Sequence, residues 1–366
     1  MVINGINPNF WSGKKVFVTG HTGFKGSWLC IFLKILGAKV TGYALQPKTN
    51  PSLFKLAKIE EILEKSIYAD IRDYERLIKE IKKSKANIIF HLAAQPLVRY
   101  SYIKPKETFE TNILGTLNIL ESVRKIKKIK STVIITSDKV YDTAKIKIFK
   151  ETDILGGYDP YSSSKVSCEH LFSSYIHSFF KNKSYQKLAT VRAGNVIGGG
   201  DYSEDRLIPD ILLSAKKVKK IVLRNPNAVR PWQHVLEPLN GYLILAEKLY
   251  KNEKKIRNIK QNWNFGPNIS NCKSVKYIAK FFAKNLKLKI KVLRTKGKIF
   301  TPETSFLRLG NFKAKKFLNW HPKWSLEKSL NKILDWYYLT EFQNARNVCE
   351  NQIKEFIKKI NGRRRT

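Results

Sequence analysis

Val16-Phe17-Val18-Thr19-Gly20-His21-Thr22-Gly23-Phe24-Lys25-Gly26 decides the fold. Its first four residues are the short apolar run that a buried parallel strand needs, and the run stops at a glycine turn. Beyond the turn Trp28, Leu29, Phe32, Leu33 and Leu36 recur at helical spacing, and Gly37 stands where such a helix would stop. Strand, glycine turn and helix make a βα phosphate loop. Without side chains at Gly20, Gly23 and Gly26 the backbone can approach a pyrophosphate, whose charge then meets the positive end of the helix. Three glycines alone also suit an ordinary tight turn; their place between a strand and a helix favours dinucleotide binding.

The alternation continues outward. Val40-Thr41-Gly42-Tyr43-Ala44, Ile88-Ile89-Phe90-His91-Leu92, Val133-Ile134-Ile135-Thr136 and Ala189-Thr190-Val191 read as strands, separated by amphipathic stretches such as Asn112, Leu114, Leu117, Leu120 and Val123. This βαβα order predicts an α/β fold, a doubly wound parallel sheet of Rossmann type. The pattern becomes irregular near residue 195, and Trp263-Asn264-Phe265 reads as a last strand. A dinucleotide-binding domain is therefore expected over 10–195, with returning segments near 232–267. Segments 196–231 and 268–345 would form a smaller substrate-binding lobe, and 346–366 a C-terminal tail.

Composition removes several other classes. The 366 residues are 43% hydrophobic and 12% aromatic, too apolar for disorder. No apolar run approaches the roughly 18 to 20 residues of a membrane span, and Met1 to Ser12 lacks a basic patch followed by an apolar run. A soluble, untargeted, cytoplasmic protein without a membrane partner is expected. Cys30, Cys168, Cys272 and Cys349 are far apart, so neither disulfides nor a metal site is suggested, and they read as core thiols. The net charge of +40 would ordinarily point to nucleic acid. Only 15 of the 69 basic residues are arginine, however, and the lysines are dispersed, which argues against a specific nucleic-acid site. Arg363-Arg364-Arg365 reads as a frayed terminus.

Three further stretches carry chemistry. Ala44-Leu45-Gln46-Pro47-Lys48 lacks the acid that would hold the adenosine ribose, which weakens NAD and leaves NADP open through Lys48. Asp70, followed by Ile71, could contact adenine or simply cap a helix. Tyr161-Ser162-Ser163-Ser164-Lys165 puts a phenol and an ammonium on one helix face, where the cation would favour the phenolate and so make a base.

With Gly-x-x-Gly-x-x-Gly, His91-Leu92-Ala93-Ala94, Thr136-Ser137-Asp138 and Tyr-x-x-x-Lys in this order, the chain resembles the extended short-chain dehydrogenase/reductases that act on nucleotide sugars. It resembles the CDP-glucose 4,6-dehydratases more closely still, through GHTGFKGSWL from Gly20, HLAAQPLVR from His91, LGGYDPYSSSK from Leu155, VRAGNVIGGGD from Val191, DRLIPD from Asp205 and NPNAVRPWQHVLEPL from Asn225. The resemblance covers about residues 10 to 330, with these segments lying between Gly20 and Leu239.

The resemblance implies NAD, held by Gly20, Thr22, Gly23, Phe24, Lys25, Gly26, Asp70, Ile71, Leu92, Ala93, Ala94, Tyr161 and Lys165. It implies Tyr161 as the base at the glucosyl 4-hydroxyl, Lys165 as its partner, Ser137 on the reacting oxygen and Asp138 as the acid at the 6-hydroxyl. Lys139 stands where relatives acting on dTDP-glucose have Glu, and is either the C5 base or an electrostatic helper. Arg99, Asn112, Asn195, Arg206 and Arg230 would bind CDP-glucose, and the protein would be a homodimer or a higher homo-oligomer. A nucleotide-sugar epimerase would share the fold without needing Asp138 and Lys139.

Overall fold

The structure, a computed structural model, describes residues 5–144, 147–180, 186–217, 220–292, 306–341 and 343–361. Seven strands form one sheet: β1 (Lys15–Thr19), β2 (Lys39–Ala44), β3 (Lys65–Tyr68), β4 (Ile88–His91), β5 (Ser131–Ile135), β6 (Lys187–Ala193) and β7 (Asn262–Phe265). Their order is β7-β6-β5-β4-β1-β2-β3, and every neighbouring pair is parallel. Val16 faces Val40 on one side and Ile88 on the other, so β1 is central and buried on both faces, which is why it reads as unbroken apolar sequence. The chain reverses direction across the sheet between β1 and β4, and ligands of open α/β sheets bind above that switch point.

Helix α1 (Phe24–Ile35) follows the glycine turn. Trp28, Leu29, Phe32 and Leu33 are fully buried against the sheet. Each such side chain contributes on the order of 1.5–3 kcal/mol. Helix α2 (Tyr74–Ser84) is capped by Asp73, which accepts from the Arg76 amide, so the capping expected of Asp70 belongs to its neighbour three residues on. The helix expected through Asn112 is interrupted. It runs as α3 (Pro105–Phe109), a π turn (Glu110–Leu114) and α4 (Gly115–Lys125). Helix α5 (Pro160–Tyr175) carries Tyr161 and Lys165.

Strand β3 escapes sequence reading because it is the sheet edge and buries only Ile67 fully. Past β6, helices α6 (Leu207–Lys216), α8 (Val275–Asn285) and α9 (Leu326–Leu339) build a separate core around Ile208, Ile211, Ile278, Phe282, Leu330 and Ile333. Between α6 and α8, helix α7 (Leu236–Tyr250) lies beneath the sheet, buried nearly all round, and β7 then joins the sheet beside β6.

The segment expected as a tail is instead helix α10 (Ala345–Asn361), which packs on α1 and buries Val348, Cys349, Ile353 and Phe356 in the main core. Arg363-Arg364-Arg365 lie outside the described residues. Cys30, Cys168 and Cys349 are buried free thiols as expected; Cys272 is only half-buried, on a short ribbon pairing Cys272–Ser274 with Val229–Pro231.

Candidate active site

The glycine turn closes on the switch point. Gly20 has φ +76°, and a Cβ there would come within 2.7 Å of the Ala93 amide nitrogen; one at Gly26 would fall on the Gly20 carbonyl oxygen. Two backbones thus meet where side chains cannot fit. Gly23 caps α1 without any side-chain hydrogen bond, leaving the first amides of the helix available to an anion. Thr22 ties the loop down by donating to the Leu45 carbonyl at 2.9 Å, and the Phe24 ring lies under Gly198. Leu92, Ala93 and Ala94 line the opposite side; the Ala93 amide donates to Thr19 Oγ1 at 3.2 Å. This open, side-chain-free cradle at a helix N-terminus fits a dinucleotide pyrophosphate.

The flanking cofactor candidates divide. Asp70 faces Arg72 at 2.7 Å, and that guanidinium holds its carboxyl below the usual carboxylate range. Ile71 is buried beneath Gly115, and its carbonyl accepts from Asn118 at 3.0 Å. Lys48, the residue that left NADP open, pairs with Glu107 at 3.8 Å, and that carboxylate would repel a 2′-phosphate. Lys25 is half-buried with its pKa lowered to about 8, first by burial and then by Arg206.

Tyr161, Lys165, Ser137 and Asp138 are all buried. Ser137 starts a 3₁₀ turn over Asp138–Val140, accepting from the Lys139 amide at 3.2 Å and donating to Asp138 Oδ1 at 3.3 Å. Lys165 donates to the Ile135 carbonyl at 3.3 Å, and burial lowers its pKa. Burial pushes Tyr161 up to about 12, outweighing Ser137 and the Arg206 charge, which favour the phenolate. Burial likewise raises the Asp138 carboxyl, against the pull of Lys139 and Arg230, and Oδ2 has no hydrogen-bond partner.

Arg230 is buried near Asp138 and donates to its neighbour's carbonyl, that of Val229, at 3.0 Å. Arg206 is half-buried and pairs with Asp201 at 3.0 Å; Asn195 is half-buried, and its carbonyl accepts from the Gln233 amide at 3.0 Å. Arg99 is exposed and bridges to Asp205 at 2.5 Å. Asn112, expected at the substrate, is 1% exposed and hydrogen-bonded within the scaffold. Its amide nitrogen donates to Ser164 Oγ at 2.8 Å and to the Gln95 carbonyl at 3.2 Å, while its oxygen accepts from the Gln95 amide at 2.8 Å. The π turn aims this side chain inward at the catalytic helix, where it braces the scaffold.

Sequence reading missed Glu169 and Arg192, which pair at 2.8 Å directly behind the site. A signal was available: Tyr161, Lys165 and Glu169 repeat every four residues, so a third ionisable group shares the buried helix face. Among the described residues no cluster of His, Cys, Asp or Glu could hold a metal ion, and no helix is long and apolar enough to cross a membrane.

A parallel sheet in this order, a glycine loop at its first βα turn and a buried Tyr-x-x-x-Lys beside it define an extended short-chain dehydrogenase/reductase. The family model described as GDP-mannose 4,6 dehydratase matches residues 17–333, and the chain belongs to that family. The CDP-glucose 4,6-dehydratase of Salmonella typhimurium is 46% identical over 337 residues, 91% of this chain and 92% of that protein. Among solved structures, the dTDP-glucose 4,6-dehydratase from Bacillus anthracis in complex with NAD superposes with a TM-score of 0.74 at 24% identity, covering 92% of this chain and 100% of that one. A UDP-glucose-4-epimerase from Stenotrophomonas maltophila gives 0.75 at 19% identity, covering 90% and 99%. At these identities the two structures attest the fold.

Proposed function

We propose that the chain converts CDP-glucose to CDP-4-keto-6-deoxyglucose with NAD as its cofactor. The observation that carries this is the 46% identity to the Salmonella typhimurium CDP-glucose 4,6-dehydratase across nearly the full length of both chains. A buried acid beside a buried Tyr-Lys pair supports it, since an epimerase has no need of that acid. NAD, when bound, supplies the acceptor for hydride leaving C4 and the donor for hydride reaching C6. The loop from Gly20 to Gly26 would hold its pyrophosphate, Asp70 and Ile71 its adenosine end, and Leu92, Ala93, Ala94, Tyr161 and Lys165 its nicotinamide end.

Tyr161 takes the proton of the glucosyl 4-hydroxyl. Burial alone keeps the phenol protonated, so Tyr161 acts as a base only as the phenolate, which Arg206 favours and which Lys165 one turn along and a bound nicotinamide cation would favour further. Ser137 hydrogen-bonds the same oxygen. Once C4 is a ketone the C5 proton is acidic; Lys139, beside Asp138, is the candidate base that takes it, and water leaves across C5 and C6. Asp138 serves as the acid for the departing 6-hydroxyl, because burial raises its carboxyl above the ordinary carboxylate value and so favours the protonated form. The Lys139 charge favours the carboxylate left after that transfer.

Arg206, Arg230 and Asn195 bind the substrate diphosphate, and Arg99 lies towards the hexose. Segments 196–231 and 268–345 form the lobe that encloses it. A homodimer is supported by Leu114 and Phe179, large apolar side chains more than two-fifths exposed on the π-turn stretch and just beyond α5. The protein works in the cytoplasm, where it supplies deoxysugars for surface polysaccharide such as lipopolysaccharide O-antigen. Incubation with CDP-, dTDP-, UDP- and GDP-glucose tests the assignment: the 4-keto-6-deoxy product should form fastest from CDP-glucose.

A further inference from the structure

We infer that the buried Glu169–Arg192 pair is a positioning device that holds Ser137, Asp138 and Lys139 in register with Tyr161 and Lys165. The inference deepens the dehydratase reading and rests on it. Both side chains are almost wholly buried, at 1% and 2% exposure. Replacing such a pair by apolar residues of similar volume is often neutral or stabilising, so stability alone does not account for it. Its connections point to positioning.

Glu169 sits one turn beyond Lys165 on α5 and accepts at both oxygens. Oε1 receives Thr136 Oγ1 at 2.6 Å and Arg192 Nε at 2.8 Å. Oε2 receives Thr190 Oγ1 at 2.8 Å, Arg192 Nη2 at 2.9 Å and Asn262 Nδ2 at 2.7 Å. These donors fix the carboxylate to β6, to β7 and to the residue that follows β5. Burial would raise the Glu169 pKa, but Arg192 and the hydroxyl donors hold it below the usual range, so the carboxylate stays charged.

Arg192 reaches the other side of the same loop. Its Nη1 donates to the Tyr141 hydroxyl at 2.7 Å, and Tyr141 donates in turn to Asn264 Oδ1 at 2.7 Å. The Tyr141 ring is stacked on Phe149 at 4.9 Å. Thr136 and Tyr141 therefore bracket the stretch Ser137-Asp138-Lys139-Val140, and both ends are tied to one ion pair mounted on the helix of Tyr161 and Lys165. Each end of the proton-transfer machinery is thereby referred to one rigid body. Such registration matters because misplacement by about 1 Å can cost about 100-fold in rate.

Glu169 and Arg192 are poor test sites, since removing either leaves an uncompensated buried charge. Thr136→Val and Tyr141→Phe each remove one hydroxyl and keep the shape. With CDP-glucose and NAD, each should lower kcat about tenfold at nearly unchanged KM, in keeping with a positioning error well under 1 Å. Released 4-keto-glucose intermediate should rise relative to the 6-deoxy product, because the loop carries the acid for water loss. Thr136→Ser, which restores the hydroxyl, should recover most of kcat. Variants that melt earlier yet keep the parent kcat and product ratio would make the pair merely structural and overturn the inference. A parent inactive on CDP-glucose would overturn the proposed function and this inference with it; an active parent beside unaffected variants overturns only the inference.

Discussion

Replacing Asp138 by asparagine separates water loss from oxidation. The side chain is 5% exposed, accepts one weak hydrogen bond from Ser137 and has an unpartnered Oδ2, so asparagine fits the same space. The carboxyl pKa is raised in the folded protein, chiefly by burial. A raised folded pKa means stability that is full below the unfolded value of 3.8 and lost as pH rises towards the folded one. Asp138→Asn should therefore be at least as stable as the parent at pH 8. What it loses is the transferable proton. General acids typically contribute 10²–10⁴-fold, so turnover should fall at least about 100-fold, or about 2.7 kcal/mol of barrier. Quenched reactions analysed by mass spectrometry should contain CDP-4-keto-glucose and little 6-deoxy product, because oxidation at C4 does not need this acid. Dehydration at the parent rate would refute the assignment of Asp138.

Tyr161→Phe keeps the ring and removes the oxygen, so C4 oxidation should disappear while NAD binding measured by calorimetry stays within about threefold, a difference under 1 kcal/mol; loss of NAD binding would make the tyrosine structural. Gly26→Ala puts a Cβ against the Gly20 carbonyl and should weaken NAD at least about tenfold, the equivalent of 1.4 kcal/mol; unchanged affinity would remove the loop from the cofactor site. His91 and His234 are lowered to about 3 and His21 to about 4, in each case mainly by burial, from an ordinary 6.5. Folded values below the unfolded one give stability that is full above pH 6.5 and lost as pH falls, up to about 2 kcal/mol per histidine between pH 7 and pH 5. Urea midpoints should drop over that interval, and equal midpoints would mean that these imidazoles are not buried neutral.

The parts of the fold that show in the sequence are those where burial writes a simple pattern. Strand β1 and helix α1 are apolar because both are enclosed, and Gly20 and Gly26 are glycine because two backbones touch there. Strand β3 is an edge with a single fully buried apolar side chain, so no run marks it. Helix α10 is masked by its lysines, which share the helix with Val348, Ile353 and Phe356, and its place in the core follows from a long-range contact with α1.

The site divides in the same way. Tyr161 and Lys165 are paired by local helical spacing, but the raised phenol comes from enclosure by distant segments. Asn112 reads as a polar helix residue, and only the π turn aims it at Ser164. Glu169 and Arg192 meet across 23 positions of sequence, a pairing that neither helical nor strand periodicity reveals.

The most direct measurement is a time course of the purified protein with NAD and, separately, CDP-, dTDP-, UDP- and GDP-glucose, with products identified by NMR. CDP-glucose should yield CDP-4-keto-6-deoxyglucose fastest, with no net accumulation of NADH at steady state. Faster turnover of another nucleotide sugar, a 4-epimer without loss of water, or stoichiometric NADH would contradict the account.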